Sequence, residues 1–293
     1  MKKKKSVWLL AYFVILSIFA ILILSLQEDM LLTGRYSWVQ ENLNEEDEYR
    51  DNVVGEGVLE YAIENKLEGE KMAELITNCY FYEQIHREAV EGPDTIKTLG
   101  KDKSVSYIQK KYKTAYESLL DSNQAVWSDV KYFPVPLSGR DEDLTVNYEN
   151  SWKFERTFGG KRYHEGCDIM ANENKRGIYP IISMCDGVVE KKGWLPKGGY
   201  RIGIRGNSGA YFYYAHLESY ADVEEGDFVK AGQLLGFMGD SGYGEEGTTG
   251  QFAVHLHVGI YIRTEHNEEL SVNPYPVLKY LENRRLTMDF GMK

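Results

Sequence analysis

The chain has 293 residues and a formal net charge of −11, because 45 aspartates and glutamates outnumber 34 lysines and arginines. This length allows one sizeable domain with an appendage or two small domains, so a buried core can form. The negative charge disfavours nucleic acid or another polyanion as a partner. Three cysteines are too few for a disulfide scaffold, which excludes the small disulfide-rich class.

The N-terminal stretch joins four lysines to a long apolar run. Lys2–Lys5 precede residues 7–26, which carry no charged side chain and are about long enough to cross a bilayer as a helix. The run ends in Leu-Ser-Leu-Gln, without the small-x-small site of a cleaved signal peptide. Because lysines favour the cytoplasmic side, the sequence predicts a single-pass cell-membrane protein with residues 1–26 as cytoplasmic lysines and transmembrane anchor, and residues 27–293 outside.

Residues 27–130 are predicted to form an extracytoplasmic helical region. Two long segments carry apolar and tyrosine positions at helical spacing, and the sequence Gly-Pro-Asp-Thr at 92–95 separates them. In the second segment Ile108, Tyr112 and Leu119 follow this spacing. Such positions indicate a helix core or helix–helix contacts rather than a ligand site.

The composition changes at YFPVPLSGR, residues 132–140, where two prolines and a glycine end the helical pattern. From there to about residue 281 the chain consists of short β-rich runs separated by glycines, which is typical of an antiparallel all-β sheet or barrel. We therefore place a mainly β domain at residues 131–283 and a C-terminal tail at 284–293.

Two histidines lie one residue apart in the apolar run QFAVHLHVGIY, residues 251–261. Alternate side chains of a strand point to one face, so Val254 and Leu256 share an apolar face, while His255 and His257 share the other. Taken alone, such a pair also fits two histidines on a solvated face.

A second cluster is HEGCD at residues 164–168. The spacing of four places His164 and Asp168 on the same side of either a helix or a strand, with Cys167 facing away in an extended chain. Imidazole and carboxylate are common zinc ligands, and two histidines with one aspartate leave an open position for water or substrate. The competing zinc motif HExxH lacks its second histidine here, and its glycine disfavours a helix, so Glu165 is a weak candidate base.

A fourth histidine, His216, lies in the alternating run AYFYYAHLESY, on the same face as Phe212 and Tyr214. A neutral imidazole beside a metal can take a proton from water or donate a hydrogen bond to a developing oxyanion.

These separated motifs, HxxxD at 164–168, YAHL at 214–217 and HLH at 255–257, closely resemble the M23 family of zinc metallopeptidases, the lysostaphin and LytM-like peptidoglycan endopeptidases. The run VEEGDFVKAGQLLGFMGDSG also matches, and the resemblance covers about residues 130–281. It implies an antiparallel β-sheet with a groove over one face, preceded here by the transmembrane helix and the helical region.

Carried over by position, the resemblance implies that His164, Asp168 and His257 hold one Zn²⁺ per catalytic domain. It implies that His255 and His216 flank the attacking water and the scissile carbonyl. We favour His255 as general base, although the roles of these two could be exchanged. One departure from the family is an expanded segment of the chain before HLH, which affects the rim of the groove.

The resemblance implies a membrane-anchored zinc-dependent endopeptidase that hydrolyses peptide bonds of bacterial peptidoglycan. Its expected partners are stem or cross-bridge peptides and, through residues 7–26, the cytoplasmic membrane, with no nucleic acid. The alternative is a non-cutting M23-like scaffold or regulator in a cell-wall, division or sporulation complex. The bond cleaved stays open, and residues 27–130 could be a spacer, a partner-binding module or a cover over the groove.

Cys167 and Cys185 are expected to lie close together. Pairing of neighbouring strands could bring them within disulfide range, and the alternative is two small buried thiols. Cys79 would stay unpaired in either case.

Overall fold

The fold is that of a computed structural model, which describes residues 2–42, 46–157, 160–264 and 266–291. The helices within these ranges are α1 (Lys2–Asn42), α2 (Glu46–Asp51), α3 (Glu56–Glu64), α4 (Glu70–His86), α5 (Pro93–Leu99), α6 (Lys103–Lys111), α7 (Lys113–Trp127) and α8 (Tyr275–Leu281).

Helix α1 contains the apolar run. Its segment Leu10–Gln27 is long and apolar enough to cross a membrane, and the side chains of this segment are exposed. Length and composition of this kind belong to membrane spans and to signal sequences alike.

Helices α3 to α7 form a helical layer where the sequence predicts helices. Pro93 begins α5 at a position where its missing N–H is not needed, and the Asp102 side chain caps α6 by accepting from the backbone N–H groups of Ser104 and Val105. Tyr112 interrupts the second predicted segment, because the chain leaves helical geometry there between α6 and α7. Ile108 and Leu119 are buried, as their spacing predicts.

The described strands are mostly short. They are β1 (Leu137–Ser138), β2 (Val146–Tyr148), β3 (Glu155–Arg156), β4 (Arg162–Tyr163), β5 (Cys167–Ala171), β6 (Pro180–Ile182), β7 (Gly187–Leu195), β8 (Gly199–Gly206), β9 (Tyr211–Tyr220), β10 (Phe228–Val229), β11 (Leu234–Met238), β12 (His255–Ile262), β13 (Leu270–Val272) and β14 (Thr287–Met288).

The main sheet has the order β10-β7-β8-β9-β12-β5-β2, and all its pairings are antiparallel, which confirms the fold class expected from the sequence. Strands β6, β11 and β13 join it at the side, β11 beside β9 and β13 beside β12. Strands β3 and β4 form a separate antiparallel pair just before β5. Strands β8, β9 and β12 make the floor on which the histidines lie.

Strand β12 shows the predicted alternation. Val254, Leu256 and Val258 are buried in the core, whereas His257 on the other face is less buried. Helix α7 contacts β12, and Val126 belongs to the same buried cluster as Leu256. The helical layer therefore covers the face of the sheet opposite to the histidines.

The hydrophobic core crosses residue 131, where the composition of the chain changes. Trp127 of α7 is fully buried and packs edge-on against Tyr280 of α8, with ring centroids 6.0 Å apart. The Tyr280 hydroxyl donates to the Leu67 carbonyl. Helical layer and sheet thus share one core.

The sequence patterns did not indicate helix α8, and they treated residues 284–293 as a tail. In the structure β14 pairs in parallel with β1, and Arg285 donates from its guanidinium to the carbonyls of Val135 and Pro136. The described part of this segment is therefore packed against the domain.

Candidate functional site

Three side chains from two adjacent strands and one loop converge at the site. His164 lies in the loop before β5, and Asp168 of β5 pairs directly with His257 of β12 in the sheet register. His164 Nε2 lies 3.0 Å from His257 Nδ1 and 3.1 Å from Asp168 Oδ1, and His257 Nδ1 lies 3.0 Å from the same oxygen. The structure thus brings together the His-Asp-His set that the sequence singled out.

Neighbouring groups determine which atoms of His164 and Asp168 face the cluster. The carbonyl of Ser151 can only accept, so His164 donates to it from Nδ1 at 2.9 Å and keeps an electron pair on Nε2. The Arg156 guanidinium donates to Asp168 Oδ2 at 2.5 Å and leaves Oδ1 facing the histidines. Burial alone would raise the pKa of the Asp168 carboxyl, but the neighbouring histidines outweigh burial and hold this pKa well below its usual range.

Gly166, the glycine of HEGCD, lies so close to strand β12 that there is no room for a side chain. A Cβ at position 166 would lie 2.4 Å from Cε1 of His257 and 2.6 Å from the carbonyl oxygen of Val258. Both are far shorter than a van der Waals contact, so any larger residue at Gly166 displaces the His257 ring or strand β12.

The donor set fits a zinc ion. Two imidazole nitrogens and one carboxylate oxygen lie within 4.8 Å of one another, and two of them, His164 Nε2 and Asp168 Oδ1, are acceptors that face each other. Two atoms that both present electron pairs repel each other at this distance, and a cation bound by both removes the repulsion. Three protein ligands of this kind, with a second shell that fixes their orientation, match a zinc site with an open position.

The other two histidines lie beside this set. His216 Nδ1 donates to the Ser241 carbonyl and His255 Nδ1 to the Ala253 carbonyl, each at 2.7 Å, so both rings keep an acceptor at Nε2. Their ring centroids are 4.7 Å apart, and His255 Nε2 lies 3.8 Å from Asp168 Oδ1. Burial, and then the neighbouring histidines, lower the pKa of His216 well below its usual value, so this ring is neutral at physiological pH.

A β-bulge places His216. Between β8 and β9, Tyr200 is opposite Leu217 and Ile202 is opposite Tyr214, so Arg201 alone faces two residues of β9, one of which is His216. His216 has a φ of +63°, a left-handed conformation that is uncommon for a non-glycine residue. Such bulges re-aim side chains and are frequent at functional sites.

The expanded segment before HLH forms a wall against these histidines. The Tyr243 ring lies 6.1 Å from the His216 ring, and the Phe252 ring lies 4.6 Å from His216 and 5.0 Å from His255. Arg162 donates to the Tyr243 hydroxyl at 3.2 Å. The departure from the family pattern therefore adds aromatic contacts to the proposed catalytic groups.

All five candidate residues line one open groove of about 990 Å³. Its floor comes from β8, β9 and β12, and its sides come from the β3–β4 pair and the segment that carries Tyr243 and Phe252. No described residue before Glu155 lines the groove, so the described helices do not cover it.

The weaker candidates lie elsewhere. His164 and Glu165 are in a loop, so the HExxH helix does not form, and Glu165 pairs with Arg50 of α2 at 2.6 Å. Cys167 faces the core and donates from Sγ to the Glu149 carbonyl, and burial raises its thiol pKa to about 12. The Cys167–Cys185 disulfide does not form, since all three cysteines are free and buried. The cysteines are therefore buried thiols, which was the alternative expectation.

Sequence reasoning missed several groove residues. Arg156, Arg201 and Phe252 received no role, although all three line the groove and Arg156 holds Asp168. Arg156 reaches Asp168 only because β3 pairs with β4, and Arg201 reaches the groove through a bulge. Neither contact leaves a periodic signal in the sequence.

Comparisons with known proteins agree with this geometry. A sequence model of peptidase family M23 matches residues 162–274, which include all five candidate residues. The L-Ala–D-Glu endopeptidase of Bacillus subtilis is 43% identical over 151 residues, which are 51% of this chain and 43% of that protein. Lysostaphin of Staphylococcus simulans is 33% identical over 118 residues, covering 40% of this chain and 21% of that protein. The chain thus spans less than half the length of these curated relatives.

One solved structure matches most of this chain. It is the crystal structure of a Ruminococcus gnavus protein assigned as the glycyl-glycine endopeptidase LytM, which is 48% identical, with a TM-score of 0.72. The match covers 83% of this chain and 93% of that one. Because identity, coverage and fold agree, and the matched segment contains the His-Asp-His cluster and the two flanking histidines, this chain belongs to peptidase family M23.

Proposed function

We propose that this chain is a membrane-anchored, zinc-dependent endopeptidase that hydrolyses peptide bonds of peptidoglycan. The observation that carries the proposal is the convergence of His164 Nε2, Asp168 Oδ1 and His257 Nδ1 at the floor of an open groove, beside two further histidines. A closed structural site would use four protein ligands and no groove.

His164, Asp168 and His257 would hold the zinc ion. When bound, zinc supplies Lewis-acid polarisation of a peptide carbonyl and a water that is nucleophilic near neutral pH. Arg156 and the Ser151 carbonyl would orient two of the ligands, because each engages the atom of the ligand that does not face the cluster.

His255 is the proposed general base. Its Nδ1–H is held by the Ala253 carbonyl, so the electron pair on Nε2 faces the groove and can take a proton from the attacking water. His216, which burial keeps neutral, presents the same kind of acceptor 4.7 Å away, measured between ring centroids, and would orient that water. After proton transfer, His255 carries an N–H at Nε2 that can be delivered to the leaving amine.

The anchor is proposed from the apolar segment Leu10–Gln27 of α1. Lys2–Lys5 would stay in the cytoplasm, which places the groove outside, where peptidoglycan lies. We propose residues 1–26 as the anchor, 27–130 as the helical region and 131–283 as the peptidase part. The helical region then acts as the second layer of the fold, because its core is continuous with that of the sheet.

The relatives name two kinds of bond, L-Ala–D-Glu and glycyl-glycine. Both are amide bonds in bacterial wall peptides, and both present a carbonyl to the same metal. Substrate choice therefore depends on the residues that surround the cluster.

The test uses the full-length chain in a mild detergent, because the shared core argues against removing the helices. Zinc is measured by emission spectroscopy, and muropeptide digestion is followed by mass spectrometry. We expect one zinc per chain, cleavage that chelation abolishes and zinc restores, and loss of cleavage in His255→Ala with zinc retained. His266→Ala, which changes an exposed histidine outside the groove, is the matched control. Cleavage by metal-free protein would contradict the proposal.

His255→Ala also separates enzyme from scaffold. If the variant folds, binds zinc and still supports the cellular phenotype of the wild type, the non-cutting alternative is favoured. If the phenotype is lost while His266→Ala retains it, the hydrolytic function is supported.

A further inference from the structure

The groove contains an arginine to which neither the fold nor the proposed chemistry assigns a role. Arg201 of β8 lines the groove, and Nη1 of its guanidinium is buried without a hydrogen-bond partner. It makes no ion pair with any described residue. Arg201 as a whole is half-buried, but a buried guanidinium N–H without a partner is unfavourable, and an anion bound in the groove would satisfy it.

The bulge that places His216 also places Arg201. Arg201 faces Ala215 and His216 across the two strands, so its side chain starts directly beside a proposed catalytic residue. Burial raises the pKa of Tyr211 to about 12, and it raises the pKa of Tyr213 as well, while the positive charge of Arg201 opposes both shifts. Arg201 therefore lies among the tyrosines of β9, and the Tyr213 ring is 5.9 Å from the ring of His257.

The charges around the groove favour an anion there. Five basic residues and four acidic residues line the groove. Three of the four acidic residues already have a cationic partner, since Glu155 pairs with Lys161, Glu165 with Arg50 and Asp168 with Arg156.

The described groove residues that have no partner of opposite charge carry a net positive charge. Arg162, Lys191, Lys197 and Arg201 have no acidic partner, and they stand against one exposed acid, Glu269. This excess is local, because the whole chain carries a formal net charge of −11. Lys191 and Lys197 are exposed and screened by solvent, so the half-buried Arg162 and Arg201 are the cations that act most strongly on a bound ligand. Arg162 already donates to the Tyr243 hydroxyl, which leaves Arg201 as the candidate.

We propose that Arg201 is a specificity-determining residue that binds a free carboxylate of the substrate peptide, so that the groove selects acidic stem peptides over neutral glycyl bridges. A guanidinium fork matches a carboxylate with two parallel hydrogen bonds, which a neutral peptide cannot offer. This proposal rests on the endopeptidase function proposed above and names its substrate class.

The chemistry of the two bonds supports this assignment. In a stem peptide cut between L-alanine and D-glutamate, with the D-glutamate linked onward through its side chain, the free α-carboxylate sits on the carbon next to the scissile nitrogen. A glycyl bridge has only hydrogen there. Because Arg201 starts beside His216, the proposal places that carboxylate on the His216 side of the groove while the carbonyl faces the metal ligands.

The test compares two synthetic stem peptides, L-Ala-γ-D-Glu-L-Lys-D-Ala and the same peptide with the D-glutamate α-carboxylate converted to a carboxamide. Pentaglycine is the neutral third substrate. For the full-length zinc-loaded chain, kcat/KM is measured by chromatography and Kd by calorimetry. For each protein, the value for the carboxylate peptide is divided by the value for the carboxamide peptide. A general loss of fold or metal lowers both values and therefore does not mimic loss of the contact.

We expect the wild type to favour the carboxylate peptide by about 10- to 100-fold, the range for a charge-assisted hydrogen-bonded pair. Arg201→Gln should bring the ratio close to one, and Arg201→Lys should keep part of it. Lys197→Gln, which removes an exposed groove cation, should change the ratio by no more than about twofold.

Two results would overturn the proposal: equal use of both peptides by the wild type, or an unchanged ratio in Arg201→Gln. If the wild type cleaves none of the three peptides, the endopeptidase function fails, and the two Kd values still decide whether Arg201 reads the carboxylate. If it cleaves them without preference, the function stands and the role of Arg201 is wrong.

Discussion

Replacement of Gly166 by alanine tests whether close packing around His257 holds the proposed metal site in place. Gly166 is not among the residues with positive φ, so alanine can adopt its backbone conformation and any effect is steric. The added Cβ would lie 2.4 Å from His257 Cε1 and 2.6 Å from Nε2 of the same ring.

The size of the effect follows from these contacts. Relief to 3.4 Å, where ordinary van der Waals contact begins, requires the ring to move by 3.4 − 2.4 = 1.0 Å. Zinc sites tolerate ligand displacements of about 0.2 Å, so the nitrogen of His257 leaves the productive position. Overpacking of this kind costs about 1–3 kcal/mol, which corresponds to a loss of zinc affinity of about 5- to 150-fold.

The assay is competitive titration of zinc against a chromogenic chelator, with thermal unfolding of the metal-free protein beside it. Gly100→Ala is the matched control, because Gly100 has a φ of −66° and its added Cβ would meet nothing within 4 Å. This variant should bind zinc like the wild type and be equally stable or more stable by up to about 1 kcal/mol.

Wild-type zinc affinity and wild-type stability in Gly166→Ala would together refute the reasoning. They would mean that β12 and the His257 ring move freely by an ångström, and the convergence of donor atoms would then not depend on the packing around Gly166.

Two further changes probe the support of the site and of the fold. Arg156→Ala removes the donor to Asp168 Oδ2, and we expect zinc affinity to fall by about 10- to 100-fold in the same titration, whereas unchanged affinity would show that the carboxylate needs no second partner. Trp127→Ala empties a fully buried position between the helical layer and α8, and should lower the free energy of unfolding by about 3–5 kcal/mol in denaturant melts; Val53→Ala, at a position 81% exposed, should not. A small loss in Trp127→Ala would contradict the shared core.

The features that could be predicted from the sequence are those that leave a pattern among neighbouring residues. The alternation in β12 fixes which face His255 and His257 share, and this can be read from residues 251–261 because the period of a strand is two. The His164–Asp168 spacing likewise needs only local geometry. Their convergence with His257 came from the resemblance, since strand pairing between β5 and β12 joins segments that are distant in sequence.

The features that could not be predicted from the sequence mostly depend on strand register and on packing between distant segments. Arg201 reaches the groove through a bulge, whose position follows from the pairing of two whole strands. Of the two alternatives for Cys167 and Cys185, the structure has buried thiols rather than a disulfide. The order of segments along the chain did not show which strands are neighbours: the backbone of Cys185 pairs with Val130, and Cys167 pairs with Val258 of β12. Helix α8 was missed because seven residues with a proline at the start give too short a periodic signal.

In the proposed membrane-anchored form, the shared core of helical layer and sheet also limits how the peptidase part could be released. A cut between α7 and β1 would leave Trp127 and Tyr280 on different fragments, and dissociation of the helical fragment would uncover the core face of the sheet. The released fragment would expose apolar surface and unfold or aggregate. Because Arg50 of α2 bonds to Glu165 and to Ser271 at the edge of the domain, a shed form with an intact groove must be cut upstream of α2. Shedding and inactivation would thus be distinguished by the cleavage position alone.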